Sequence, residues 1–450
     1  MLKAPLPQSL KAEAEWLPEL FSQGMPDQHA ESVIFWTIAL VPLWWILGIQ
    51  IMVYPLVGGY LLLRSWYRPQ PVPLLVGWHL WCGYIVAWLV SLLINLALGV
   101  AEVGRSLTAL GAILGVWVLT VAVWYAVRRL RVRFQVVVRA ACIVGLCQLI
   151  AVVIGEGYLR LTGSLLETRS LVTIVWPSIP ARVFFEAQLY GLDRIAWEVD
   201  PVLVPRLKSF YYWSPLAGTM SLILSQIALT EESRFWRWVG LIGAVLTLRF
   251  SAARMAQLAF GAATLISLWF GSRWGRRIMN WLAIPLAATS PFLIGGFTWY
   301  LFNYRRDSFT LRQEMYREAF EAFLDSPFFG YGAQGHSRIT HHPLGSHSQV
   351  LSSLYQTGAI GSTLLILAWL AIAVALVNWV LKHPHLSPCL GAWVGLTFVM
   401  LTEEYHAASV TAFTLSAWLG CAWNWGEQAI RRQWLPPWWQ EPPFPWQQRV

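Results

Sequence analysis

The chain has 450 residues, of which 57% are hydrophobic and 12% charged, and it carries a formal net charge of +9. A water-soluble domain of that balance would expose large apolar areas, so the surplus has to face lipid. The apolar runs lack two-residue alternation, which excludes a β-barrel, and the basic clusters lie in short links between runs, as membrane orientation requires, which sets nucleic acid aside.

In chain order, residues 1–32 come first. They hold Pro5, Pro7, Pro18 and several acids without a continuous apolar core, so no cleavable signal peptide is expected. Trp16, Leu17, Leu20 and Phe21 suit a short helix at the membrane surface, with a disordered tail as the alternative. Apolar runs follow near 33–63, 74–97, 107–127, 136–155, 213–230, 236–250, 254–271, 279–302, 350–381, 389–404 and 408–425. Such runs cross a hydrocarbon core of roughly 30 Å as helices. The first would reach roughly 46 Å as one helix, so it is read as two, broken near Pro55 or Gly58-Gly59. The predicted fold is therefore all-α and polytopic, with about twelve transmembrane helices.

Arg64 and Arg68, the run Arg128 to Arg133, Arg234 and Arg237, Arg273, Arg276 and Arg277, Lys382, and Arg431-Arg432 fall in alternate links and at the C-terminus. The positive-inside rule makes these positions cytoplasmic. The termini are then cytoplasmic, and the polar segments 156–212 and 303–349 are external. Residues 426–450 form a cytoplasmic tail whose Trp/Pro-rich stretch from Leu435 to Trp446 lies along the surface. The chain reads as a single transmembrane domain without an internal repeat, which speaks against inverted-repeat transporters. Cys82, Cys142, Cys147, Cys389 and Cys421 sit in apolar runs with no metal or disulfide spacing, which indicates packing.

The external segments hold arginines that the positive-inside rule does not explain; anion binding would account for them. In the second, residues 311–320 show apolar positions at three- and four-residue steps, Asp307 or Ser308 is available as a cap, and Pro327 is a stop. This predicts an amphipathic helix on the outer membrane surface, with Arg312 and Tyr316 on one face. Gly330, Gly332 and Gly335 then make a loop able to approach a ligand closely, followed by His336, Arg338, His341, His342 and His347.

This stretch resembles the core of the O-antigen ligase and polymerase superfamily, through Arg312, Tyr316, Pro327 to Gly332, His347-Ser348 and Gly358-Ala359-Ile360-Gly361. Ser251-Ala252-Ala253-Arg254-Met255 stands where the family has a Ser-Arg-Gly signature, without the glycine; Ser348 replaces the usual asparagine. The resemblance implies transfer of a glycan from a polyprenyl-diphosphate carrier to an acceptor hydroxyl at the outer face, without metal, nucleotide or other cofactor. Its partners are that donor, a lipid or glycan acceptor, and membrane lipids. The residue types suit this chemistry. A hydroxyl acceptor needs a base working near neutrality, the role expected of His347. A leaving diphosphate needs fixed cations with a planar fork, the role expected of Arg254 and Arg312. Arg182, Arg206, Tyr316 and Arg338 are weaker candidates.

Bland readings stand beside these. A histidine at a loop–helix junction can be a capping residue, Arg254 can snorkel from a span end, and Arg317 and Arg338 can be solvated or paired with Glu314, Glu318 or Glu321. His336, His341, His342 and His347 match no standard zinc spacing, so no metal site is assigned. Glu403, Glu404 and His406 read as polar groups of an outer turn. A polymerase would use the same donor and base, differing only in acceptor. A transporter or channel would place ionisable residues mid-span, whereas here Asn95 and Arg139 are the few strongly polar residues well inside spans.

Overall fold

The computed structural model describes residues 26–68, 72–195, 202–304, 306–339, 343–345, 347–405 and 408–433. The expected N-terminal surface helix, the Trp/Pro-rich tail, and His341, His342 and His406 lie outside them. The chain is all-α, 76% helical. The helices are α1 (Gln28–Ala39), α2 (Val41–Leu47), α3 (Gln50–Trp66), α4 (Val76–Ala97), α5 (Val103–Arg129), α6 (Phe134–Thr162), the short α7 (Leu171–Val175), α8 (Ser214–Leu229), α9 (Arg234–Phe250), α10 (Arg254–Gly271), α11 (Arg273–Tyr304), α12 (Arg306–Asp325), α13 (Gln349–Lys382), α14 (Ser387–Met400) and α15 (Ser409–Gln433).

A helix covers every apolar run. Among the described residues, α4, α5, α6 and α13 are long and apolar enough to cross a membrane, and the bent pair α1–α2 makes a fifth candidate. These several apolar helices indicate a multi-pass membrane protein. The first run breaks elsewhere than expected. It bends by 62° between α1 and α2, then stops at Gly48, whose left-handed φ of 75° caps α2. Pro55 and Gly58-Gly59 lie inside α3. A proline removes one backbone donor, whereas a left-handed C-cap ends the hydrogen-bond ladder outright.

Close crossings are made by small residues, which let backbones touch where burial of apolar area against lipid gives no driving force. A Cβ on Gly243 of α9 would stand 1.8 Å from the Gly145 carbonyl of α6. Elsewhere α4 meets α5 and α13, and α13 meets α14, through tryptophans. Trp81 lies against Trp117 and Trp369, and Trp369 stacks on Trp393 with ring centroids 3.9 Å apart. Residues 113–118 of α5 form a wide π-turn, and the Trp81 indole N–H donates to the Trp117 carbonyl there, at 3.1 Å.

One end of the bundle is closed by ion pairs. Asp27 caps α1 and takes Arg64 at 2.9 Å and Arg68 at 3.2 Å. Glu31 takes the Arg133 fork, Arg139 pairs with Glu231 at 3.0 Å, and Arg128 pairs with Glu427 at 2.7 Å. At the other end, segment 156–212 contains an element that apolar periodicity did not announce, an antiparallel pair of β1 (Tyr190–Ile195) and β2 (Val202–Leu207) in register Tyr190 to Leu207.

Candidate functional site

The site forms where α12, the glycine loop, the start of α13 and the turn between α14 and α15 meet. α12 begins at Arg306, so Asp307 and Ser308 stand inside it rather than capping it. After α12, the segment from Pro327 to Gly332 docks against an opening in α13. At Gly358 the backbone of α13 leaves helical geometry, with φ 61° and ψ −164°. Its neighbours Tyr355 and Gln356 expose their carbonyls to the N–H groups of Tyr331, at 2.9 Å, and Gly332, at 2.8 Å. The Ala359 N–H returns to the Pro327 carbonyl at 2.7 Å. A Cβ on Gly358 would fall 2.4 Å from the Phe328 carbonyl group, so only glycine fits both the angle and the space. Asn95 of α4 donates to the Gly330 carbonyl at 3.0 Å and Trp88 to that of Gly332 at 2.8 Å. Asn95, a mid-span polar residue in the sequence, thus serves the loop.

Ser348 caps α13 by accepting the Leu351 N–H at 3.4 Å. His347 precedes the cap with φ 67°, a left-handed conformation rare for histidine. The Tyr316 hydroxyl donates to the His347 carbonyl at 2.6 Å and holds it there. Burial raises the pKa of that hydroxyl, so it stays a donor at neutral pH.

The turn after α14 is gripped residue by residue. Arg312 donates to the Thr402 carbonyl at 3.1 Å and to the Glu403 carboxylate at 3.3 Å. The other oxygen of Glu403 lies 3.8 Å from His347 Nδ1. Glu404 accepts from Ser352 of α13 at 2.8 Å and from Gln334 of the glycine loop. The Tyr405 N–H donates to Gln349 at 2.9 Å. Although Glu404 as a residue is only partly buried, its carboxyl group is enclosed, and that desolvation lifts its pKa to about 7 against the opposing pull of its two donors. Beside the turn is a small cleft lined by Trp213, by Leu216 and Thr219 of α8, by Met400, and by both glutamates.

The structure therefore brings together Arg312, Tyr316 and His347 and adds Glu403 and Glu404, which sequence reading had left as loop polar groups. Two adjacent acids in an outer turn, and polar Gln349, Ser352, Ser353 and Gln356 on one face of an apolar helix, were the available signals. Arg312 is not an open cation, because Glu403 and Thr402 engage its fork. Arg254 starts α10, directly after a turn in which Ala252 has φ 50°. Arg206 of β2 secures that turn by donating to the carbonyls of Ser251 at 2.9 Å and Ala252 at 3.2 Å. Arg182 pairs with Glu186 at 2.8 Å. Arg338 is exposed, and its backbone N–H donates to Glu318. Arg317 pairs with Glu314 at 2.6 Å. Among the described residues, no three histidine, cysteine or acidic side chains are grouped to hold a metal.

Residues 239–366 match the model of a family described as O-antigen ligase, so the chain carries a domain of that family over α9 to the first half of α13. The domain implies a glycan-transferring membrane enzyme of ligase or polymerase type, acting on lipid-linked glycans. Arg254, Arg312, Tyr316 and His347 lie inside the matched range, and Glu403 and Glu404 lie beyond it. No curated protein matches the chain.

Proposed function

We propose that the protein transfers a glycan from a polyprenyl-diphosphate carrier to an acceptor hydroxyl at the outer face of a bacterial inner membrane, with twelve spans, cytoplasmic termini and the site external. The observation that carries this reading is the alignment of Arg312, Glu403 and His347 inside and beside an O-antigen ligase domain.

In this reading the other imidazole nitrogen of His347, Nε2, takes the proton of the acceptor hydroxyl. The freed oxygen attacks the anomeric carbon, and the bond from that carbon to the diphosphate oxygen breaks. Glu403, 3.8 Å away on the Nδ1 side, offsets the positive charge the ring acquires. The departing polyprenyl diphosphate gains negative charge, which Arg254 and the remaining donors of Arg312 meet. Arg206 acts at one remove by fixing the turn that presents Arg254. The test is whether purified protein in lipid consumes a polyprenyl-diphosphate glycan and glycosylates an added acceptor. Transfer is expected to survive a chelator; loss on chelation with recovery on adding a divalent ion would assign a metal to the site. A polymerase would show the same donor consumption with a second carrier-linked glycan as acceptor.

A further inference from the structure

Glu404 is the one carboxyl group of the site that the proposed chemistry does not use, yet it is tied to two elements at once. Ser352 stands one turn into α13, behind His347 and its Ser348 cap, and Gln334 stands in the glycine loop; both donate to Glu404. Ser352 in turn accepts from Gln356 at 2.7 Å, whose carbonyl is held by Ser91 of α4 at 2.8 Å. The next residue, Tyr405, is fixed to Gln349 through its backbone. Glu403 of the same turn lies 3.8 Å from His347, and that approach depends on where its neighbour anchors the turn.

From this we infer that Glu404 is a positioning residue for the proposed transfer: by accepting from Ser352 and Gln334 together, it locks the acidic turn to the start of α13 and so sets the contact of Glu403 with His347. The inference rests on the reading of His347 as base, but its geometry does not. What the position needs is a hydrogen-bond acceptor joining the two elements; the proton-transfer work belongs to His347. Among the described residues, titratable groups facing Glu404 include Glu403 on its own turn, His347 before α13, and Tyr84 of α4. A glutamine keeps an oxygen for Ser352 and Gln334 while removing the charge, which separates the two roles.

The test is the rate at which diethyl pyrocarbonate modifies His347 in the full-length protein, read by peptide mass spectrometry, with exposed His336 as internal reference. Glu404→Ala and Glu403→Gln should both speed modification of His347 several-fold relative to His336, and Glu404→Gln should leave it at the wild-type rate. If Glu404→Ala accumulates poorly, the double variant Ser352→Ala with Gln334→Ala should speed it likewise. Unchanged reactivity in Glu404→Ala, or in that double variant, overturns the inference; so does Glu404→Gln behaving like Glu404→Ala, which would make charge the operative property. In the transfer assay, Glu404→Ala should lower kcat by about 10²-fold, as a displaced catalytic group does, with little change in KM for the donor, and Glu404→Gln should recover most of it. The modification readout needs no turnover. A wild-type protein without transfer activity would remove the functional reading and leave this one to stand or fall on its own result.

Discussion

The two polar ends of the bundle use arginine differently. At one, Asp27, Glu31 and Glu231 are nearly inaccessible and each is met by an arginine, while the inaccessible Arg128 is met by Glu427. At the other, Arg312 and Glu403 are 28% and 19% exposed, their contact is 3.3 Å, and the histidine beyond is 36% exposed and 3.8 Å away. At the first end, every pair holds one inaccessible partner at short distance and joins two parts of the helix bundle. Longer contacts at the edge of a cleft leave donors and acceptors able to exchange partners. Charge at a helix end is therefore informative only together with its burial and pairing.

The largest effect is expected at the closed end. Arg139→Ala leaves the buried Glu231 carboxylate without its charged partner, a change that costs about 3–5 kcal/mol in buried pairs. Membrane accumulation and melting temperature should drop sharply, and Arg139→Ala with Glu231→Gln should restore much of both. An Arg139→Ala protein as stable as wild type would erase the distinction between the two ends.

At the open end the same class of change should act on rate. Arg312→Lys and Arg254→Lys keep the charge but lose the planar fork, so both should insert and melt normally while transfer falls by about tenfold or more. Normal transfer in both would mean that they supply only general charge. A smaller effect separates the ends by pH. The Glu404 pKa of about 7 in the folded chain, against an ordinary 4.5, means that stability is full below about pH 4.5 and declines as pH rises towards 7, where the unfolded chain has lost the proton that the folded chain still holds. The melting temperature of Glu404→Gln should fall less across that range than the wild type's; parallel curves would show that Glu404 does not titrate there.

Orientation, which the comparison of ends presupposes, is checked by labelling. Arg338→Cys, on the exposed loop, should react with a membrane-impermeant thiol reagent in intact spheroplasts, and Arg273→Cys, at the start of α11, should not. The reverse pattern would place the site in the cytoplasm and end the proposed reaction.

The apolar runs were legible because lipid imposes length and hydropathy on each helix, and α4, α6, α8, α9, α10 and α13 lie close to where the sequence put them. The break of the first run was not, since Pro55 is the louder signal while Gly48 makes the stop through a backbone angle. The β1–β2 pair escaped because two short strands carry little periodicity. Within the site, Arg312, Tyr316 and His347 were visible through local spacing. Glu403 was not, because its partners are 91 and 56 residues away along the chain. Only folding, which sets the end of α14 beside the start of α13, reveals that connection.

The account turns on His347 as the group that removes the acceptor proton. Transfer by His347→Ala, measured in lipid against wild type at matched protein level and saturating polyprenyl-diphosphate glycan, tests this most directly. The expected result is a fall of about 10²- to 10⁴-fold with donor binding and melting temperature unchanged. Near-normal transfer by His347→Ala would contradict it and return the base to another group of the turn.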